Sequence, residues 1–487
     1  MKKFISLIIA AVMILSLSVS SVIFNVSAEG AWDGATAATA FESGTGTEAD
    51  PYVIANAEQL RYLADLINTK DTNITYNTLF YKLSADIDLG GNIWYRIGNS
   101  DLPFSGTFDG DGHKVFNFFL YEHPAGLFGV TNNATIKNLK IDDANYFATG
   151  AMAGAFVGNV ATDSTLNITN CEVGANVIIT IDNMKSSVRV GGIWGTVDKN
   201  TTVNAENCIN RAKIVLDNTG RNDSAAGGIG GAIRAGYIKN CANLGSIVIN
   251  YADTLTSNAG GIVGIAIAPG ELVIENVINC ANVTGWTSAG GIIGYIYTGT
   301  EALSISNAYS FTNNINVTSE TGTKGTVIGG LRDGSQTCAL NNVTTVAIPD
   351  MVAIGGEFTV EGNLMGEVTS PDDLSLNADY NAILTTLGLG ALTMPVPPSE
   401  ETDPVGPTRP VTPEETKPEE TKPEETKPEE TKPEETKPEA TEPTQTPSTD
   451  APGTEKPAEG GCGSVVAGGL AILAVVALAG VALKKRD

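Results

Sequence analysis

Between residues 122 and 345 short apolar runs alternate with bends of Gly, Asn and Asp, and no run holds a helical period. One stretch recurs, Ala259-Gly260-Gly261-Ile262-Val263-Gly264. Near copies begin at Val190, Ala226 and Ala289, and looser ones are residues 125–129, 154–158 and Gly329-Gly330-Leu331. After each copy an apolar residue and one spacer lead to an Asn: Asn138, Asn170, Asn207, Asn240, Asn276, Asn307 and Asn342, spaced 32, 37, 33, 36, 31 and 35 apart. Two markers in step define a repeat array. Each Asn precedes a short alternating stretch, such as Lys213-Ile214-Val215-Leu216, which is strand chemistry bounded by turn residues. The pattern predicts one triangular coil per repeat, stacked on parallel neighbours at ~4.8 Å as a β-solenoid. The Gly pair is expected at a corner, with positive φ and close approach between coils. The Asn column is expected to form a side-chain amide ladder.

These Gly-rich segments resemble the GLUG-motif repeats of bacterial surface proteins. So do Asp50-Pro51-Tyr52-Val53-Ile54, the run Lys82 to Leu89 and Phe104-Ser105-Gly106-Thr107-Phe108-Asp109-Gly110-Asp111-Gly112-His113. The resemblance covers roughly residues 48 to 345. It implies an all-β, right-handed parallel β-helix on an adhesin-like surface protein, and it brings no common catalytic residues.

The flanks read differently. Residues 1–28 have Lys2 and Lys3, an apolar core and Val26-Ser27-Ala28, the grammar of a secretory signal. Residues 29–121 are expected to hold a cap and the first strands. There Asn56 can cap a helix with Gln59 three positions on, and Leu60, Leu63 and Ile67 share one face. After the seven repeats of 122–345, residues 346–394 are expected to form a second cap, with a helix from Ala378 to Leu387 stopped by Gly388. Residues 395–464 carry five tandem EETKP copies from Glu414 to Pro438, too proline-rich and charged for a core, and are expected to be a disordered stalk. Residues 465–483 are uncharged and apolar, and the tail 484–487 opens with Lys484-Lys485-Arg486. That is a transmembrane helix with a cytoplasmic end. Cys462 lies just before it, with nothing in the sequence to say whether it is processed.

Charge and chemistry narrow the function. The chain carries a net −26, and residues 29–394 hold 36 acidic against 17 basic side chains. This excludes nucleic acid as a natural partner. Cys171, Cys208 and Cys241 follow three ladder Asn residues where later repeats place Val277, Ala308 and Val343. That is a small buried column of free thiols, while Cys280 and Cys338 stay undecided. The pairs Asp86/Asp88 and Asp109/Asp111 fit tight turns better than a calcium loop, and no metal or cofactor is expected. His113 and His123 show no evident partner, and no hydrolase, zinc-protease or phosphate-loop motif occurs.

The reading is a non-enzymatic, membrane-anchored, monomeric head displaying a binding surface for an extracellular glycan or protein. A β-helix polysaccharide lyase or glycoside hydrolase, or a purely structural spacer, are the alternatives. Within the Gly-rich strand the column Leu127, Phe156, Ile193, Ile229, Ile262, Ile292, Leu331 points inward. The next column reads Phe128, Val157, Trp194, Gly230, Val263, Ile293, Arg332. Alternation turns it outward, and continuing past Gly294 adds Tyr295 and Tyr297. Trp194, Tyr295 and Tyr297 are therefore the candidate ligand-binding residues.

Overall fold

The computed structural model describes residues 31–69, 76–148, 152–182, 187–218, 223–251, 256–267, 270–298, 303–312, 314–332, 338–346, 351–355 and 377–393. The signal segment, the EETKP run, Cys462 and the apolar segment 465–483 lie outside them.

One coil shows how the repeat folds. Val188–Gly191 and Trp194–Val197 flank a bend, Thr202–Glu206 leads to Asn207, and Ile209–Asn210 and Lys213–Asn218 follow. Every one of these strands pairs parallel with its copy in the next coil: Val188 with Ser224, Trp194 with Gly230, Glu206 with Lys239, Leu216 with Ile249. The stack is a parallel β-solenoid. Alternation holds on the two outer walls, where Val203 and Ala205 point in while Thr202, Asn204 and Glu206 point out. The inward column Ile136, Ile168, Ala205, Ile238, Ile274, Ile305, Leu340 is buried from end to end. Each Ile fully withdrawn from water contributes about 1.5–3 kcal/mol against chain entropy.

All seven marker asparagines adopt left-handed backbone, with φ between 46° and 54°, a conformation Asn tolerates better than other side chains bearing a Cβ. Their amides join coil to coil in two runs. Asn207 donates to Asn170 and Asn170 to Asn138, both at 2.9 Å, and Asn138 donates to Asp109. Asn342, Asn307 and Asn276 continue to Asn240. The runs do not join: Asn207 Oδ1 is buried without a hydrogen-bond partner among the described residues. A second, interior ladder runs three residues on, Asn210 to Asn243 at 2.8 Å and Asn243 to Asn279 at 3.0 Å. Its signal was in the sequence: Asn207-x-x-Asn210, Asn240-x-x-Asn243 and Asn276-x-x-Asn279.

The coil is not a triangle. The chain turns back on itself at Gly-Gly-Ile, and both resulting strands are buried on both faces. None of these glycine pairs has positive φ; the expectation of a left-handed corner was wrong. They are glycine because nothing else fits. A Cβ on Gly228 would lie 2.2 Å from Asn243 Cγ of the interior ladder, and one on Gly231 would lie 2.5 Å from the Val190 nitrogen of the preceding coil.

Helix α1, Ala57–Asn68, buries Leu60, Leu63 and Ile67 as expected. Asn56 Oδ1 accepts from the Gln59 amide at 3.0 Å, but Gln59 reaches back to the Ala55 amide, one residue before the usual capping-box partner. Helix α2, Ala378–Thr386, is capped by Asn377, and Gly388 has φ +64°. It does not close the end of the stack. Tyr380, Ile383 and Leu384 pack on the flank, against Ala242, Ile278, Cys280, Tyr309 and Phe311. Cys171, Cys208, Cys241, Cys280 and Cys338 are buried free thiols. Cys241 stacks in register on Val277, Ala308 and Val343. Burial holds Cys171 and Cys241 in the thiol form, and Cys280 donates to the Thr393 carbonyl at 3.0 Å.

Candidate functional site

The aromatic strip does not exist as expected. Trp194 is 0% exposed, and so is its column: Phe128, Val157, Val263 and Ile293 are buried as well. Alternation predicts opposite faces only along one continuous strand. The bend at Gly192-Ile193 separates Ile193 from Trp194, so both enter the interior. The column accepts Trp beside Gly because the two compensate. Trp194 lies over Gly230 of the next coil, where a Cβ would come within 2.2 Å of its ring, and its indole N–H donates to the Ala232 carbonyl at 2.8 Å. Arg332 does not belong to this column. Ile293 pairs with Ile328, so the last copy is Gly325-Thr326-Val327-Ile328-Gly329, four residues before the Gly329-Gly330-Leu331 expected from sequence.

Tyr295 and Tyr297 do reach the surface, half-buried, where the returning strands end. Tyr295 pairs with Ile265 and Gly330, and a Cβ on Gly330 would meet its ring at 3.0 Å. The exposed Arg332 guanidinium lies 4.4 Å from the Tyr297 ring centre. Arg234 reaches the Ile267 carbonyl at 3.4 Å. On the facing strand Arg189 donates to the carbonyls of Val188 and Asp223, at 2.8 and 2.9 Å. Burial lowers the pKa of Arg189; Asp223 and Tyr297 oppose that shift and Arg234 adds to it, so these groups share one electrostatic neighbourhood. This edge combines ring faces with fixed guanidinium donors, which suits planar or anionic groups. Sequence reasoning missed Arg189 and Arg234, because they come together only when the strands on either side of the bend fold back.

The carboxylate pairs are engaged in turns and ladders. Asp88 Oδ1 accepts from the Gly90 amide and Asn117, and Asp109 Oδ1 from the Asp111 amide and Asn138. Burial opposes ionisation of Asp109, but Asn138, the Asp111 amide and Lys137 outweigh it and hold the carboxyl below its usual range. His113 does have a partner, Asp86 at 3.2 Å; the Asp lies 27 residues away, on another coil. Burial, with Arg96 second, lowers the pKa of His123. A shallow trough of about 460 Å³ runs beside the outer ladder, lined by Asp111, Asn138, Lys140, Asn170 and Glu172. Lys140 and Arg211 both pair with Glu172 there, at 3.6 and 3.0 Å, which leaves the trough a neutralised wall.

No family model matches the chain. Two curated proteins are similar over part of it. Halomucin of Haloquadratum walsbyi is 32% identical over 184 residues, 34% of this chain and 2% of that protein. A candidate Gly-rich membrane protein of Evansella cellulosilytica is 32% identical over 138 residues, 26% of this chain and 15% of that protein. The chain thus spans a small fraction of either relative. Among solved structures, a candidate immunoglobulin A1 protease from Bacteroides ovatus superposes with a TM-score of 0.46 at 20% identity, covering 71% of this chain and 90% of that one. The superposition is loose, and no function is read from it.

Proposed function

We propose that the chain is a surface-anchored β-solenoid of the GLUG-repeat kind whose head binds an extracellular glycan or protein through the edge carrying Tyr295, Tyr297 and Arg332. The observation that carries this reading is the contrast between that edge and the rest of the Gly-rich strands. Those strands are buried on both faces, while here rings and a guanidinium reach solvent together. The names of the two partial relatives, a mucin and a membrane protein, agree with a place at the cell surface. The signal segment, the EETKP stalk and the apolar C-terminal segment would supply secretion, reach and anchorage.

The test is a glycan and matrix-protein array probed with the full chain, alongside Tyr297→Ala, Tyr295→Ala and Trp194→Ala. Tyr297→Ala should lose at least about 10-fold in binding with little change in Tm, a ring at a contact being worth ~1.5 kcal/mol or more. Trp194→Ala should chiefly lower Tm. Binding untouched by both tyrosine substitutions would sink the proposed face. Release of unsaturated or reducing sugar from an array glycan would instead favour the polysaccharide lyase or hydrolase reading.

A further inference from the structure

We propose that the edge formed by Arg189, Arg234, Tyr297 and Arg332 is a site for a carboxylate-bearing polysaccharide laid along the solenoid axis. This deepens the surface-binding reading and rests on it. The first support is how the arginines are used. Arg61, Arg96 and Arg211 each hold a carboxylate. Arg189, Arg234 and Arg332 are within salt-bridge distance of none among the described residues. They are held instead by backbone carbonyls, or lie over a tyrosine ring. Guanidinium groups fixed in this way keep N–H donors for a planar anion. One such donor is already desolvated: Arg234 Nε is buried with no hydrogen-bond partner among the described residues.

The second support is spacing. Ile233, Ala266, Ile296 and Leu331 are in register on successive coils. The residues that follow them, Arg234, Ile267, Tyr297 and Arg332, lie one to a coil, ~4.8 Å apart along the axis, with a bulge that pairs Ile267 with Thr298 and leaves Tyr297 out of the ladder. Two cations stand ~14 Å apart with an aromatic ring between them, and Arg189 faces the row from the adjoining strand. That is a template for a polymer of rings with acidic groups at intervals. The opposing charges are Asp223, whose carboxylate accepts from Thr256, and Asp198, which accepts from Asn159. The net −26 of the chain repels a densely charged polymer at long range. Polygalacturonate, with a carboxylate on every ring, meets that repulsion as a nucleic acid does, so a preference between them rests on the local guanidinium and ring contacts.

The experiment measures binding of the full chain to polygalacturonate, its methyl ester, poly-L-glutamate, a single-stranded oligonucleotide and neutral dextran. Polygalacturonate should bind at least about 10-fold more tightly than each of the others, since charge-assisted hydrogen bonds to the guanidinium groups from carboxylates borne on rings are open to it alone. Arg332→Gln, at an exposed position, should weaken it about 10-fold with Tm unchanged, and Arg234→Gln at least as much. The proposal is overturned by no binding of polygalacturonate, by equal binding of its methyl ester, or by indifference to Arg332→Gln. Preference for poly-L-glutamate or the oligonucleotide overturns it in favour of an acidic protein or nucleic acid. If array ligands bind wild type and Arg332→Gln alike while Tyr297→Ala fails, the surface-binding reading stands and this site alone falls.

Discussion

Trp194 and Gly230 hold the same place in neighbouring coils, and each explains the other. Trp194→Val should leave a cavity costing about 3 kcal/mol or more. Gly230→Val should drive a side chain into the indole at about 1–3 kcal/mol or more. The double variant recreates the Val seen at Val157 and Val263, so its loss, read by urea denaturation, should fall short of the sum by 1 kcal/mol or more. Strict additivity would mean that the two side chains do not compensate. Asp109 gives a second residue-scale test. Its folded pKa is depressed, so its contribution is complete above the unfolded value near 3.9 and disappears as pH falls through the lower folded value. Asp109→Asn can still join the ladder but carries no charge. The stability gap between wild type and this variant should therefore shrink between about pH 4 and pH 2; a constant gap would show that the charge does nothing for the fold. The outer walls were legible because period two survives along an unbroken strand, and the thiol column because Cys241 shares its place with Val277, Ala308 and Val343. The candidate site was not, because the strands at the Gly-Gly-Ile bend are buried on both faces, so alternation there no longer separates interior from surface. Only Tyr295 and Tyr297 of the expected trio reach solvent.

At the scale of elements, the interior ladder and the glycine bend vary together. Gly192, Gly228 and Gly261 face Asn210, Asn243 and Asn279, and Gly291 faces Ser310. In the last coil the bend carries Thr326, and the ladder column has become Thr345. This exchange is why the seventh copy was misplaced by four residues: the conspicuous Gly329-Gly330 is not the bend. Helix α1 was legible from its cap and apolar face, whereas the position of α2 was not, since a helix with Tyr380, Ile383 and Leu384 buried fits an end or a flank equally well. Ile383→Asp should release α2 from the flank and open the chain near residues 387–393, where Leu387, Leu389 and Leu392 lie, to chymotrypsin, while the far-ultraviolet β signal remains. Loss of the whole β signal would mean that α2 is integral to the solenoid rather than docked upon it.

For the whole molecule, in-register stacking predicts that coils can be removed, but not all alike. Deleting residues 257–286 joins Thr256 to Thr287 and sets Gly230 beneath Ile293, which the space can accept. Deleting residues 224–256 joins Asp223 to Ser257 and sets Val263 against Trp194. The first shortened chain should fold with a moderately lower Tm and the second should be much less stable, as coils coupled only to nearest neighbours require; equal losses would contradict the stacking scheme. The docking of α2 has a mechanical consequence. The chain leaves the described head at Thr393, held to Cys280, just beyond a helix seated on the flank. A pull on whatever follows therefore enters through the side of the stack, across Ala242, Ile278 and Tyr309, and not at its last coil. Tension there meets the packing of Tyr380, Ile383 and Leu384 on the flank before it reaches the final strand. A head tethered in this way would yield by shedding a nine-residue helix before any coil unravels, a mechanical fuse placed ahead of the fold.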